Sequence, residues 1–229
     1  THLSDIENGD YDNVFSFTTP ISSDLNNDLG ELKALILARG DRKATYKDIV
    51  GLTSDEYNRS TADSIATGMS VMLQAQAQLD QLVHGMITAI NDTLCPNTTL
   101  GELTGNTASL TGTDENGNTV TITSGMKVLD TKNCSTGSDK QIPPQELFTR
   151  LGTERYTKVS VQETDANGNT VTNDYYVYNE ESETDTSKQY TLASVSVNDK
   201  LVEQESLLPH LSQNGKVNYD LAQKVAALW

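Results

Sequence analysis

The stretch TADSIATGMSVMLQAQAQLDQLVHGMITAINDTL, residues 61–94, decides the reading of the chain. Apolar side chains recur at Ile65, Met69, Met72, Leu79, Val83, Met86 and Ile90 in steps of four and three, with Gln76 in one slot. That spacing lays a single packing stripe along one side of an α-helix. No proline interrupts it before Pro96. At about 1.5 Å per residue such a helix is ~50 Å long. A helix of that length predicts a bundle, a coiled coil or a stalk. Ser60 or Thr61 is its expected start, with Asp63 favourable in the first turn. Its other faces carry Ser, Thr, Gln and Asp but no Lys or Arg, which argues against nucleic-acid binding.

Upstream, VFSFT (14–18) reads as a short strand stopped by Pro20, and LGELKALILARGD (29–41) as a helix with Asp28 as its cap and Gly40 as its stop. Residues 43–60 carry smaller helical pieces. At Cys95-Pro96 the composition shifts to Thr, Asn, Gly, Asp and Val, a domain boundary. SLTGTDENGNTVTITSG predicts a hairpin with a type I′ turn at Asn116-Gly117. Nearly the same segment recurs: TDENGNTVT (113–121) becomes TDANGNTVT (164–172). The second copy sits in a stronger hairpin, in which Tyr176 and Tyr178 share one face and Tyr175 and Val177 the other. PPQELFTRLG between the hairpins predicts a short helix opened by Pro143 and Pro144. QYTLASVSVN predicts a third strand, and VNYDLAQKVAALW a final helix capped by Asn218.

The expected fold is therefore α+β, an elongated helical rod domain with an inserted small antiparallel β-rich domain. Residues 1–94 supply the first part of the rod, 95–198 the β insertion with its two NGN hairpins, and 199–229 the return segment and helix.

The 229 residues hold 16 Lys plus Arg against 32 Asp plus Glu, a formal net charge of -16. Nucleic acid and anionic membranes are poor partners for that surface. Hydrophobic residues make up 35% and aromatics 6%, which predicts a thin core for the length. No apolar run is long enough for a transmembrane helix. Cys95 and Cys134 flank the first β-rich stretch and are either a single disulfide at its base or two free thiols.

No chemistry assembles in the sequence. Phosphate-binding loops, the GxSxG elbow and HExxH are absent. His2, His84 and His210 lie in unrelated places. DENGN and DANGN depart from a Ca²⁺ loop in glycine position and in the residue at the twelfth place, Gly125 or Tyr176. The acidic run Glu180, Glu181, Glu183, Asp185 reads as a solvated edge, with weak cation attraction as the alternative. Tyr175, Tyr176 and Tyr178 read as sheet packing, with a glycan-stacking patch as the alternative. No catalytic residue, cofactor or metal site is expected.

Three stretches together resemble the flagellar hook-associated protein 1 family, the hook–filament junction proteins. DLGELKALILARGDR (28–42) is similar to the family's G-E-L-K-G-L-L-D-x-R-D segment. LDQLVHGMITAIND (79–92) is similar to its L-D-x-L-A…V-N helix, and SVSVNDKLVEQESLLPHLS followed by NYDLAQKVAALW to its V-N-P-x-L-x-x-D-P-x-x-L run and closing helix. Glu205-Ser206 stands where the family has Asp-Pro. The resemblance implies a non-enzymatic structural protein. Such a protein is exported by the flagellar type III apparatus, lies outside the cell, and joins hook to filament. Its implied partners are hook protein, flagellin or a second junction protein, copies of itself, and an export chaperone bound through a C-terminal part. It also implies that this chain is a central fragment lacking the terminal polymerisation helices, monomeric on its own. Another flagellar axial protein (flagellin or hook protein) and a surface module binding glycans or host protein are the alternative readings.

Overall fold

The structure is a computed structural model that describes residues 43–49, 70–164 and 167–228. The chain divides into two compact units, Thr1–Leu79 and Asp80–Trp229, the division falling inside the first described helix. The expected strand at 14–18, the helix at 29–41, and Ile65 and Met69 of the stripe lie outside the described residues.

The long helix is shorter than its periodicity predicts. It runs as α1 over Val71–Leu94, 24 residues. Ser70 is not helical; its Oγ accepts from the Leu73 amide at 3.2 Å, which is how an N-cap satisfies a free first-turn donor. A helix unbroken from 61 to 94 is therefore excluded at Ser70, whose hydroxyl caps α1. In the first unit, Leu73 and Ala77 of α1 pack with Ala44 and Ile49. Thr45 and Asp48 there form a capping box, the Thr45 amide donating to Asp48 Oδ2 at 2.7 Å.

The second unit overturns the expected helical rod with a small β insertion. Its main body is a wholly antiparallel six-stranded sheet, curved as a half-barrel. The strands are β1 (Asn97–Thr99), β2 (Leu110–Asp114), β3 (Thr119–Ile122), β4 (Lys127–Leu129), β6 (Tyr156–Thr164) and β7 (Thr170–Tyr178). Their order across the sheet is β1-β4-β7-β6-β2-β3. The helices beside it are short: α2 (Leu100–Thr104), α3 (Asp199–Glu203) and α4 (Tyr219–Ala226). The strands win because β-branched residues and tyrosines alternate along β6 and β7, which pair residue for residue from Tyr156↔Tyr178 to Thr164↔Thr170.

Alternation gives the sheet two dressed faces. Val159, Val161, Tyr175 and Val177 pack with Leu100, Leu103, Ile122 and Val128. Tyr156, Tyr176 and Tyr178 pack with Ile90, Leu94, Leu129, Leu221 and both cysteines. α2 closes the first face and is held at both ends: Thr99 and Glu102 form a capping box, and Gly105 ends it in the left-handed region at φ 70°.

Three local expectations are corrected. The first hairpin does not turn through a type I′ Asn116-Gly117 pair. Among the described non-glycine residues only Lys140 has positive φ, so Asn116 is not left-handed as that turn requires. The Gly117 amide instead closes a turn onto Asp114 O at 3.0 Å, with Gly117 at φ 83°. The Asp114 carboxylate locks it by accepting from the Asn116 and Asn118 amides at 2.9 and 2.7 Å. The expected helix at PPQELFTRLG is extended chain leading into β5 (Phe148–Arg150). Its Leu147 and Phe148 amides are taken by Asn91 Oδ1, both at 3.1 Å, and so are not free to form a helix. The expected third strand of the hairpin sheet is β8 (Val195–Val197), which pairs with β5 in a separate two-stranded sheet.

Candidate functional site

The stripe residues fall unevenly on α1. Met72 and Leu79 are about half exposed (49% and 50%), Val83 and Met86 partly buried, and Ile90 buried. The buried positions are Leu73, Gln74, Ala77, Asp80, Ile87, Ile90, Asn91 and Leu94, a set that includes three polar side chains. Within the second unit two of these explain themselves. Asp80 Oδ1 accepts from the Leu192 amide at 2.6 Å. Asn91 imitates a rung of a β-ladder, its Oδ1 taking the amides just named while its Nδ2 donates to Phe148 O at 2.8 Å.

Asn91 leads into the most unusual part of the molecule. Its Nδ2 also donates to Glu146 Oε2 at 3.1 Å. Glu146, enclosed before β5, accepts from the Tyr190 hydroxyl on the same oxygen at 2.5 Å. Arg155 Nη1 lies 3.7 Å from it. Arg155 pairs through Nη2 with Asp92 on the last turn of α1. The Arg155 side chain is 4% exposed and that of Glu146 6%, so this ion pair is shut away from water.

The guanidinium groups also lie against tyrosine rings in alternation. Tyr190, Arg150, Tyr178, Arg155 and Tyr156 form a ladder, each guanidinium 4.8–5.9 Å from the ring centres beside it. Arg150 has no carboxylate within ion-pair distance among the described residues; its Nη groups donate to the Lys188 and Asn179 carbonyls. A buried cation held by carbonyl oxygens and ring faces exchanges hydration for weaker but numerous attractions. The ladder ties together the ends of β5, β6 and β7 and the segment around Tyr190.

Above it lies a cleft of about 240 Å³ lined by Asp92, Pro96, Asn97, Lys127 and Tyr178. Lys127 sits 5.5 Å over the Tyr178 ring and pairs with Glu180 at 3.1 Å.

Burial pushes the Cys95 thiol up to about 12, opposed by Arg155. Burial likewise raises Cys134, Tyr156, Tyr178 and Tyr190. Thiols and phenols so placed stay protonated and act as donors. Burial raises Glu146 too, against the Tyr190 hydrogen bond and the two arginines. Cys95 and Cys134 are unbonded and buried in the same apolar cluster.

The other sequence candidates have structural partners. Glu181 pairs with His84 at 2.8 Å and accepts the Tyr190 amide at 2.7 Å. Asp185 caps the turn at Ser187. His210 is bonded to the Leu208 carbonyl, and His2 lies outside the described residues. The Asp114 oxygens of the first NGN turn are occupied by N–H donors, the Asn118 side chain included. Among the described residues no group of three or more His, Cys, Asp or Glu could hold a metal. Arg150, Arg155 and Glu146 carried no signal in the sequence, because isolated charges in a β-rich stretch read as surface. Asn91 could have been found from its step of four after Ile87, which places both on the buried side of α1.

The chain matches no family model, no curated protein and no solved structure.

Proposed function

We propose that this chain is a structural component of the bacterial flagellum, part of a hook-associated protein joining hook to filament. One observation supports the reading beyond the three resembling stretches: the chain's return. Leu221 and Val225 of α4 pack in the cluster that holds Ile90 and Leu94 of α1. The β-rich stretch from Cys95 onward thus leaves the end of one helix and comes back to it. The buried arginine–tyrosine ladder suits a structural role, since it ties β5, β6 and β7 to the segment around Tyr190.

The test uses cells lacking the parent gene. Electron microscopy should show intact hooks without filaments, and the medium should contain unassembled flagellin. Normal filaments would overturn the reading; missing hooks would transfer it to hook protein. The cleft beside Tyr178 favours a second reading, a module binding a small polar ligand such as a sugar. Saturable binding on a glycan array, abolished by Tyr178→Ala, would support that instead.

A further inference from the structure

We infer that Asn116 is a site of spontaneous covalent modification, converting through a succinimide to aspartate and isoaspartate. The inference is independent of the flagellar reading. Asn-Gly occurs in four places, at 8–9, 116–117, 167–168 and 214–215. In this dipeptide the glycine amide nitrogen can attack the preceding side-chain carbonyl, because no Cβ blocks the approach. The bond from Gly117 N to Asn116 Cγ forms, the side-chain amide leaves as ammonia carrying the displaced proton, and water then opens either carbonyl of the ring.

The structure distinguishes two of the four sites, those at 116 and 214. Asn214 Oδ1 accepts from Ser212 Oγ at 2.7 Å and from the Lys216 amide at 3.0 Å. Those bonds tie its side chain to both Ser212 and Lys216 and restrict the rotation that brings Cγ to Gly215 N. The Asn116 side-chain amide has no hydrogen bond among the described residues, and Asn116 and Gly117 are both exposed. The space around Gly117 is open, with nothing within 4 Å of the place a Cβ would occupy. Both glycine amides donate to a carbonyl three residues back, at 3.0 Å for Gly117 and 2.8 Å for Gly215. That restraint is common to the two sites, so the side chain is what separates them.

Conversion has a structural consequence. Isoaspartate carries the backbone through an extra methylene between residues 116 and 117. It also sets a new carboxylate beside Asp114 and Glu115, where the Asp114 oxygens hold the turn. The β2–β3 hairpin, at the sheet's edge, would lose its closing turn first.

The experiment incubates the whole protein at mildly alkaline pH. Peptide mapping by mass spectrometry follows conversion at each site, and isoaspartyl methyltransferase labelling identifies the isomer. The expected result is conversion at Asn116 several-fold faster than at Asn214, with the two rates drawing together in denaturant. Asn116→Gln should remove the signal at that position and leave the circular dichroism spectrum unchanged. An intact Asn116, an Asn214 that converts as fast, or a ratio unchanged by denaturation would each overturn the inference.

Discussion

The two faces of the half-barrel sheet solve the same burial problem with different chemistry. One closes on Leu100, Leu103, Ile122, Val128, Val159, Val161 and Val177, an apolar cluster. The other mixes Ile90, Leu94 and Leu221 with tyrosines, and beside them lie buried Asn91, Glu146, Arg150 and Arg155. A chain only 35% hydrophobic has too little apolar surface for both faces. The second face substitutes paired charges and ring faces, which must be matched almost completely to be tolerated. Truncation on the apolar face should therefore leave a cavity, and truncation on the mixed face an unpaired buried charge.

Arg155→Met should show the unpaired charge. It leaves the Glu146 carboxylate buried without its nearest cation and removes the Asp92 partner and two ring contacts. Breaking a buried pair from one side costs about 3–5 kcal/mol. Urea titration should find the midpoint moved by that amount, or the protein unfolded; a loss below about 1 kcal/mol, the range of an exposed pair, would show that the cluster is hydrated. Leu100→Ala is the matching change on the apolar face, where Leu100 is fully enclosed. Its expected cost is about 2–5 kcal/mol from lost burial and a residual cavity. Xenon or small hydrocarbons should recover part of it, as they would not for Arg155→Met.

Glu146→Gln sharpens the contrast through pH. Burial raises the Glu146 carboxyl above its ordinary range in the folded state, so between the ordinary and raised values the folded protein binds the extra proton. Stability from this group is then full at acid pH and is lost as pH rises through that window. The glutamine variant lacks the titration, so its deficit relative to the native chain should shrink as pH rises. Unfolding free energies measured across the carboxylate range check this. A deficit that grows with pH would mean that the arginines outweigh burial and hold Glu146 ionised. Leu100→Ala should give a deficit that does not vary with pH.

The division of the sheet into two faces was legible in the sequence, and the charges buried beside one of them were not. The alternation of Val159 and Val161 and of Tyr176 and Tyr178 assigns side chains to opposite faces before any coordinates are known. The Asn218 cap was equally plain, and its Oδ1 accepts from the Leu221 amide at 3.1 Å. The helix stripe misled because it counted only apolar residues. The buried side of α1 within the second unit passes through Asp80 and Asn91, whose partners lie 112 and 57 residues away. The rod expectation failed for a related reason. Ser70, a lone polar residue between Met69 and Val71, is the residue that caps α1. The partner of β8 was hidden because a three-residue strand carries almost no pairing preference of its own.

The smallest expected effect lies in the two hairpin tips, which belong to neither face. Gly117 and Gly168 occupy the same left-handed conformation, φ 83° in both, within copies of one sequence. Yet one joins β2 to the edge strand β3, and the other joins the two nine-residue strands β6 and β7. Neither glycine has an atom within 4 Å of the Cβ position, so alanine at either meets only the conformational cost of a left-handed residue, about 1 kcal/mol. Gly117→Ala and Gly168→Ala should therefore lower stability by the same amount, despite the different strands they serve. Equal shifts in the urea midpoint would make the repeat a local device whose energy is set by its own turn. A larger loss for Gly168→Ala would mean instead that turn strain spreads along β6 and β7 into the tyrosine ladder. In that case the mixed face would be sensitive not only to its charges but also to the strands that deliver them.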